Sequence, residues 1–145
     1  MRHVRDRRDR PDPGRILIRA IDTNILLRLL TGDDAGQARV ARSIIDEDFI
    51  VTATVLIETA WVLRSRYGWN RTVLAQGLRM VIDLPHAVSV PDHAIWAIDR
   101  LEAGADFADM MHIATAAGAT RFATFDRGVA KKAGAAAPVS IETLA

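Results

Sequence analysis

The sequence predicts a three-layer α/β/α domain built on a short, mainly parallel, five-stranded sheet. Short apolar runs of strand length alternate with longer stretches of helical period, the rhythm of βα units whose parallel sheet is covered on both faces. Glycine, proline, asparagine and aspartate mark the boundaries between them. The chain has 145 residues, half of them hydrophobic and 26% charged, which suits one domain with a sizeable core and excludes a disordered, collagen-like or coiled-coil chain.

Ile16 to Ile21 is an apolar run broken only by Arg19 and reads as a mostly buried first strand. Asp22-Thr23-Asn24 supplies capping side chains for a helix carrying Ile25, Leu26, Leu27, Leu29 and Leu30. Thr31-Gly32-Asp33-Asp34 ends it, and a second helix runs from Ala35 towards Asp46 with Ala38, Ala41, Ile44 and Ile45 on one face. Phe49 to Thr52 is the second strand. A helix from Thr54 towards Tyr67 places Leu56, Ala60 and Leu63 on one face, and Gly68 closes it. Asn70 caps the next helix, which reaches Ile82. Val88 to Val90 is a strand stopped by Pro91, and Asp92 caps a helix with Ile95, Ile98 and Leu101 that ends at Gly104. Asp106 caps a helix from Phe107 towards Ala117, Arg121 to Phe125 is a strand, Asp126 to Gly134 a short helix, and Val139-Ser140 the last strand. Met80, Met110 and Met111 read as gap-filling core residues. Trp61, Trp69 and Trp96 read as packing residues in preference to base-stacking ones.

The net charge of +1 conceals two halves of opposite sign. Residues 1–15 hold six arginines and three aspartates, a net of +3, which leaves −2 on residues 16–145. That first segment has almost no apolar side chains and ends in Pro11, Pro13 and Gly14, so it reads as a flexible basic extension. A tag, or translation from upstream of the true start, explains it better than an RNA-binding arm. No apolar stretch follows it as in a secretory signal, and no run approaches the ~20 apolar residues of a membrane span, so the expected location is cytoplasmic.

The slightly acidic remainder makes no global case for binding nucleic acid, and the case rests on where the carboxylates fall. Ligands of open parallel sheets bind beyond the carboxyl ends of the strands. Asp22 follows the first strand, Glu58 lies about one turn into the helix after the second, Asp106 and Asp109 open the helix after the third strand's crossover, and Asp126 follows the fourth. Singly, Asp22, Asp106 and Asp126 each have a simpler explanation as a helix cap. Glu58, in an apolar stretch, has none. Like charges gathered at one edge repel unless a cation compensates. With no cysteine and no paired histidines, the chemistry points to a hard oxygen-bound ion, Mg²⁺ or Mn²⁺. His112, one turn from Asp109, reads as a supporting or packed residue and not as a ligand.

Ile21-Asp22-Thr23-Asn24-Ile25-Leu26 resembles the opening motif of PIN-domain ribonucleases. Val55-Leu56-Ile57-Glu58, Asp106-Phe107-Ala108-Asp109 with the run ending Ile113-Ala114, and Ala123-Thr124-Phe125-Asp126 resemble the second, third and fourth motifs, in family order. Within that family the chain resembles the toxin of a VapBC-type toxin–antitoxin pair. The resemblance implies a metal-dependent endoribonuclease acting on structured cellular RNA, tRNA or rRNA. It implies Asp22, Glu58, Asp109 and Asp126 as the acidic quartet. Asp22 and Asp109 would hold the main ion, and Glu58 and Asp126 a second ion or a water. Asp106 competes with Asp109 for the third position, and Thr23, Asn24, Asp106 and Thr124 would be auxiliary.

Phosphate contacts would come from local cations, with Arg64, Arg66, Arg127 and Lys131 the foremost candidates and Arg71, Arg79 and Lys132 behind them. The resemblance also implies a homodimer and a VapB-type antitoxin, whose arginine could enter the acidic pocket. The apolar Ile25–Leu30 and Val55–Leu63 helices are candidate interfaces. A phosphoacceptor signalling domain would need a second acid beside Asp22 and a lysine after the last strand. An aspartate-nucleophile phosphatase would need an acid where Asn24 stands. A PIN module that only binds RNA or protein remains the third alternative, and the intact acidic set argues against it.

Overall fold

The computed structural model describes residues 17–145, so the basic extension and Ile16 lie outside the described residues. Among the described residues one or two helices follow each of the first four strands, seven helices and five short strands in all, and every strand pairing is parallel. This mixed α/β arrangement is consistent with the three-layer fold. The strands fall into a three-stranded sheet, β1 (Arg19–Ala20), β2 (Phe49–Ile50) and β3 (Ala87–Ser89), and a two-stranded ladder of β4 (Arg121–Thr124) with β5 (Ser140–Thr143). With strands only two to four residues long, hydrogen bonding runs out before it joins the two ladders into one five-stranded sheet.

The first strand is much shorter than its apolar run. Arg19 and Ala20 pair with Phe49 and Ile50, whereas Leu17 and Ile18 are 49% and 50% exposed. Burial requires a neighbour, and β2 flanks only the end of the run, where Ile21 is buried.

The helices start where side chains can satisfy their free N–H groups. Asp22 caps α1 (Thr23–Thr31), Asp34 caps α2 (Ala35–Ile44), Thr52 caps α3 (Ala53–Ser65), and Asn70 caps α4 (Arg71–Ile82). Asp106 caps α6 (Phe107–Ala114). The α5 helix (Ala94–Glu102) departs from expectation: its cap residue is His93, with φ 54° and no side-chain cap, and not Asp92. After Pro91 the chain reverses in a turn closed by Ala94 N–H donating to the Pro91 carbonyl, so Asp92 falls inside the turn, one residue too early. The α7 helix (Val129–Ala133) is also shorter than expected, because Asp126 accepts the Gly128 N–H in a local turn at 2.8 Å.

One core joins the elements, with Leu26, Phe49, Leu56, Leu63, Leu74 and Ile98 fully enclosed. Met110 and Met111 are buried there as expected, but Met80 is 48% exposed on the outer side of α4. Trp69 and Trp96 pack against the core, whereas Trp61 is 62% exposed. Among the described residues no helix is long and apolar enough to cross a membrane.

A polar tie holds the α1–α2 turn to the end of α3. Tyr67 Oη donates to Asp33 Oδ2 at 2.6 Å, Thr31 Oγ1 to Asp33 Oδ1 at 2.9 Å, and Arg28 Nη1 to Asp33 Oδ1 at 2.8 Å. The Tyr67 hydroxyl, then Thr31 and Arg28, hold the Asp33 carboxyl below the usual carboxylate range. A folded-state pKa below the unfolded value gives stability at pH above ~4 that is lost as pH falls through the folded value. Wild type is therefore expected to melt above Asp33→Asn at neutral pH, with the gap closing in acid. Thermal unfolding of both proteins across pH measures this, and a gap independent of pH contradicts it.

Candidate functional site

The aspartates are placed by helix starts or a strand end, and Glu58 by the middle of α3. Asp22, exposed at the end of β1, accepts the Thr23 N–H on Oδ1 at 2.7 Å. Thr23 itself is only 4% exposed, and its Oγ1 finds no hydrogen-bond partner among the described residues. A buried hydroxyl without a partner is costly unless water or a ligand completes it. Asn24 is exposed beside it.

Glu58 stands on the exposed side of α3, although its neighbours Leu56 and Val62 turn into the core. It lines an open groove of about 740 Å³ between α3, α4 and α6, shared with Trp61, Arg64, Arg71, Asp106 and His112. The apolar surroundings of Glu58 therefore belong to the wall of a groove. Its carboxylate faces solvent there.

Asp106 and Asp109 divide the start of α6 between them. Asp106 Oδ1 accepts the Asp109 N–H at 2.9 Å, the bond of a helix cap. Asp109, with its own N–H thus engaged, has a partly buried carboxyl. Burial first, then the Asp106 carboxylate, then that of Asp126, push its pKa up, and His112 opposes them. At the end of β4, Asp126 N–H donates to Thr124 Oγ1 at 3.0 Å while Asp126 Oδ1 accepts from Gly128. A β-carbon on Gly128 would lie 3.3 Å from that oxygen, so glycine leaves room for the carboxylate. The spacing Asp126-Arg127-Gly128 was the available sequence signal for this turn.

The structure thus makes Asp106, Asp109, Asp126 and His112 electrostatic neighbours, and lets Glu58 and Asp106 line one groove. Asp22 is not among the groups that act on Asp109. Among the described residues no three His, Asp or Glu side chains approach closely enough to hold a metal ion by themselves. An Mg²⁺ ion does not require three, because it keeps several waters and binds through one or two carboxylates plus substrate phosphate. Carboxylate oxygens that repel one another at the start of α6 fit such an ion.

Among the described residues the ion pairs engage Arg19, Arg28, Arg79 and Arg121, and His86 Nδ1 lies within hydrogen-bond distance of Asp48. Arg79 is thereby committed to Asp99 and Glu102, not to phosphate. Arg71 is committed to backbone carbonyls. Arg64 lines the groove, and Arg66, Arg127 and Lys131 are exposed.

Residues 19–135 match the PIN domain family, and the chain belongs to that family. The match runs from β1 through α7 and includes Asp22, Glu58, Asp109 and Asp126. PIN domains are generally nuclease-like, and those that are nucleases usually use divalent metals. Comparison with curated proteins and with solved structures found no significant match.

Asp106→Asn keeps a capping oxygen but removes one like charge, so the Asp109 carboxyl should titrate nearer the usual range. Asp106→Ala should also lose about 1 kcal/mol of stability with the cap. Carboxyl-carbon NMR of Asp109 and denaturant unfolding measure the two effects. An Asp109 titration unchanged in Asp106→Asn contradicts the electrostatic coupling.

Proposed function

We propose that this PIN domain is a metal-dependent endoribonuclease, the toxin of a VapBC-type pair, that hydrolyses a phosphodiester bond in structured tRNA or rRNA. The observation that carries the reading is the Asp109 carboxyl. It is partly buried, opposed by Asp106 and Asp126, and set in a family whose members are generally nucleases. Such an arrangement costs stability without a cation and gains purpose with one.

Asp22 and Asp109 are proposed to hold the main Mg²⁺ or Mn²⁺, with Glu58 and Asp126 holding a second ion or orienting a water. An ion held there would supply an activated water near neutral pH and would offset charge developing on the phosphate. Thr23, Asn24 and Thr124 orient the carboxylates or their waters, and the Thr124 hydroxyl already accepts from the Asp126 amide. Asp106 sets the start of α6 and so the place of Asp109. Arg64, which lines the groove, and Arg127, next to Asp126, would meet RNA phosphates near the acids, with Arg66 and Lys131 further contacts. Hydrolysis by water leaves 5′-phosphate and 3′-hydroxyl ends.

A cognate antitoxin would neutralise the enzyme by presenting an arginine to the acidic site. The apolar part of the groove, with Trp61 at its edge, supports a protein partner there. A homodimer, and a cytoplasmic location where RNA and antitoxin meet, complete the reading. A second reading is a PIN module that binds RNA or protein without cutting.

Mapping of 5′ ends in cells expressing wild type, Asp22→Asn or Asp109→Asn separates the readings. The nuclease predicts a discrete cut in one tRNA or rRNA, reproduced in vitro with Mg²⁺ or Mn²⁺ and abolished by EDTA. Either substitution should lower the rate by roughly 10²-fold or more. Cyclic-phosphate ends, or full cleavage in EDTA, would overturn the mechanism. Binding without cleavage would favour the second reading.

A further inference from the structure

Arg71 is the first residue of α4, yet its guanidinium serves a distant turn. Arg71 Nη1 donates to the Leu101 carbonyl at 3.0 Å and to the Ala105 carbonyl at 2.6 Å. Leu101 lies in the last turn of α5, and Ala105 immediately precedes Asp106, the cap of α6. The turn between them is also closed by Gly104 N–H donating to Leu101 and Ala105 N–H to Arg100. A cation suits this place, because the last carbonyls of α5 form the negative end of its dipole.

The Ala105 carbonyl and the Asp106 N–H belong to one planar peptide group. Pinning that carbonyl fixes the direction in which the chain enters Asp106. From there the cap bond to the Asp109 N–H sets the first turn of α6 and the position of the Asp109 carboxyl. Ala105 is itself 1% exposed, so its carbonyl needs a partner inside the protein. Arg71 also lines the groove that holds Glu58, Asp106 and His112, which places the clamp in the wall of the site it supports.

We infer that Arg71 is a positioning residue. It clamps the α5–α6 turn so that Asp106 and Asp109 stand ready at the acidic edge, and it does not bind the RNA backbone. The catalytic part of this inference rests on the ribonuclease reading, and the clamp itself does not.

Wild type, Arg71→Ala and Arg71→Lys, each as the full chain, are compared by amide hydrogen exchange and by RNA cleavage in Mn²⁺. Loss of the clamp should speed exchange at Asp109 and Met110 by about tenfold or more, with α1 to α3 unchanged. For Arg71→Ala, kcat should fall by roughly 10- to 100-fold while KM stays close to wild type. Arg71→Lys keeps the charge and a donor and should recover part of kcat; if Arg71→Ala does not fold, this variant carries the comparison alone. A raised KM with unchanged kcat and a weaker salt dependence would make Arg71 a phosphate contact and overturn the inference. Exchange that rises uniformly, with kcat falling only with the folded fraction, would overturn it as well. If wild type cuts no RNA, the ribonuclease reading fails and exchange decides the clamp: a rise confined to the start of α6 upholds it, and its absence refutes it.

Discussion

The acidic edge is organised around the cost of ionising Asp109. Its carboxyl is partly buried and repelled by the carboxylates of Asp106 and Asp126, so three influences work against its charge and His112 works for it. A fold optimised for stability alone would place an amide or an apolar side chain here. Charges set against one another at a strand end are characteristic of functional sites, where stability is given up for chemistry. The rest of the local structure keeps this arrangement from relaxing. Asp106 is tied into the α6 cap, Asp126 into its turn with Gly128, and the α5–α6 turn is pinned by Arg71.

The same economy runs through the elements that carry the acids. Asp22, Asp106 and Asp126 each use an oxygen to bind a backbone N–H, so the structural explanation and the functional one apply to the same residue. A carboxylate that accepts one backbone bond keeps further lone pairs for a cation or a water. Caps hold Asp22 and Asp106 at the starts of α1 and α6, where the positive end of the helix dipole favours negative charge, and a turn holds Asp126. Glu58 has no such role and is held only by its place on α3, facing the groove.

Much of this was legible from residue order. Capping residues such as Asn70 and Asp106, the apolar face of Leu56, Ala60 and Leu63, and the recurrence of an acid after successive strands all depend on neighbours within one helical turn. What was not legible depends on distant contacts. Arg71 reaches carbonyls 30 and 34 residues away, so it looked like one more surface cation. Leu17, Ile18, Met80 and Trp61 have the composition of core residues, but no neighbouring element covers them. The cap of α5 moved from Asp92 to His93 because of how the chain turns after Pro91, which spacing alone did not show. The division of five strands into two ladders is a matter of which distant strands pair, which residue order did not show.

If a cation relieves the repulsion around Asp109, it must stabilise the folded chain, because ligands that bind only the folded state raise its stability by mass action. The direct measurement is the thermal midpoint of metal-free wild type and Asp109→Asn as Mg²⁺ or Mn²⁺ is added at neutral pH. Wild type should start below the variant and rise steadily with cation, while Asp109→Asn should start higher and respond little. A wild-type midpoint indifferent to both cations, or an equal rise in Asp109→Asn, would contradict the account.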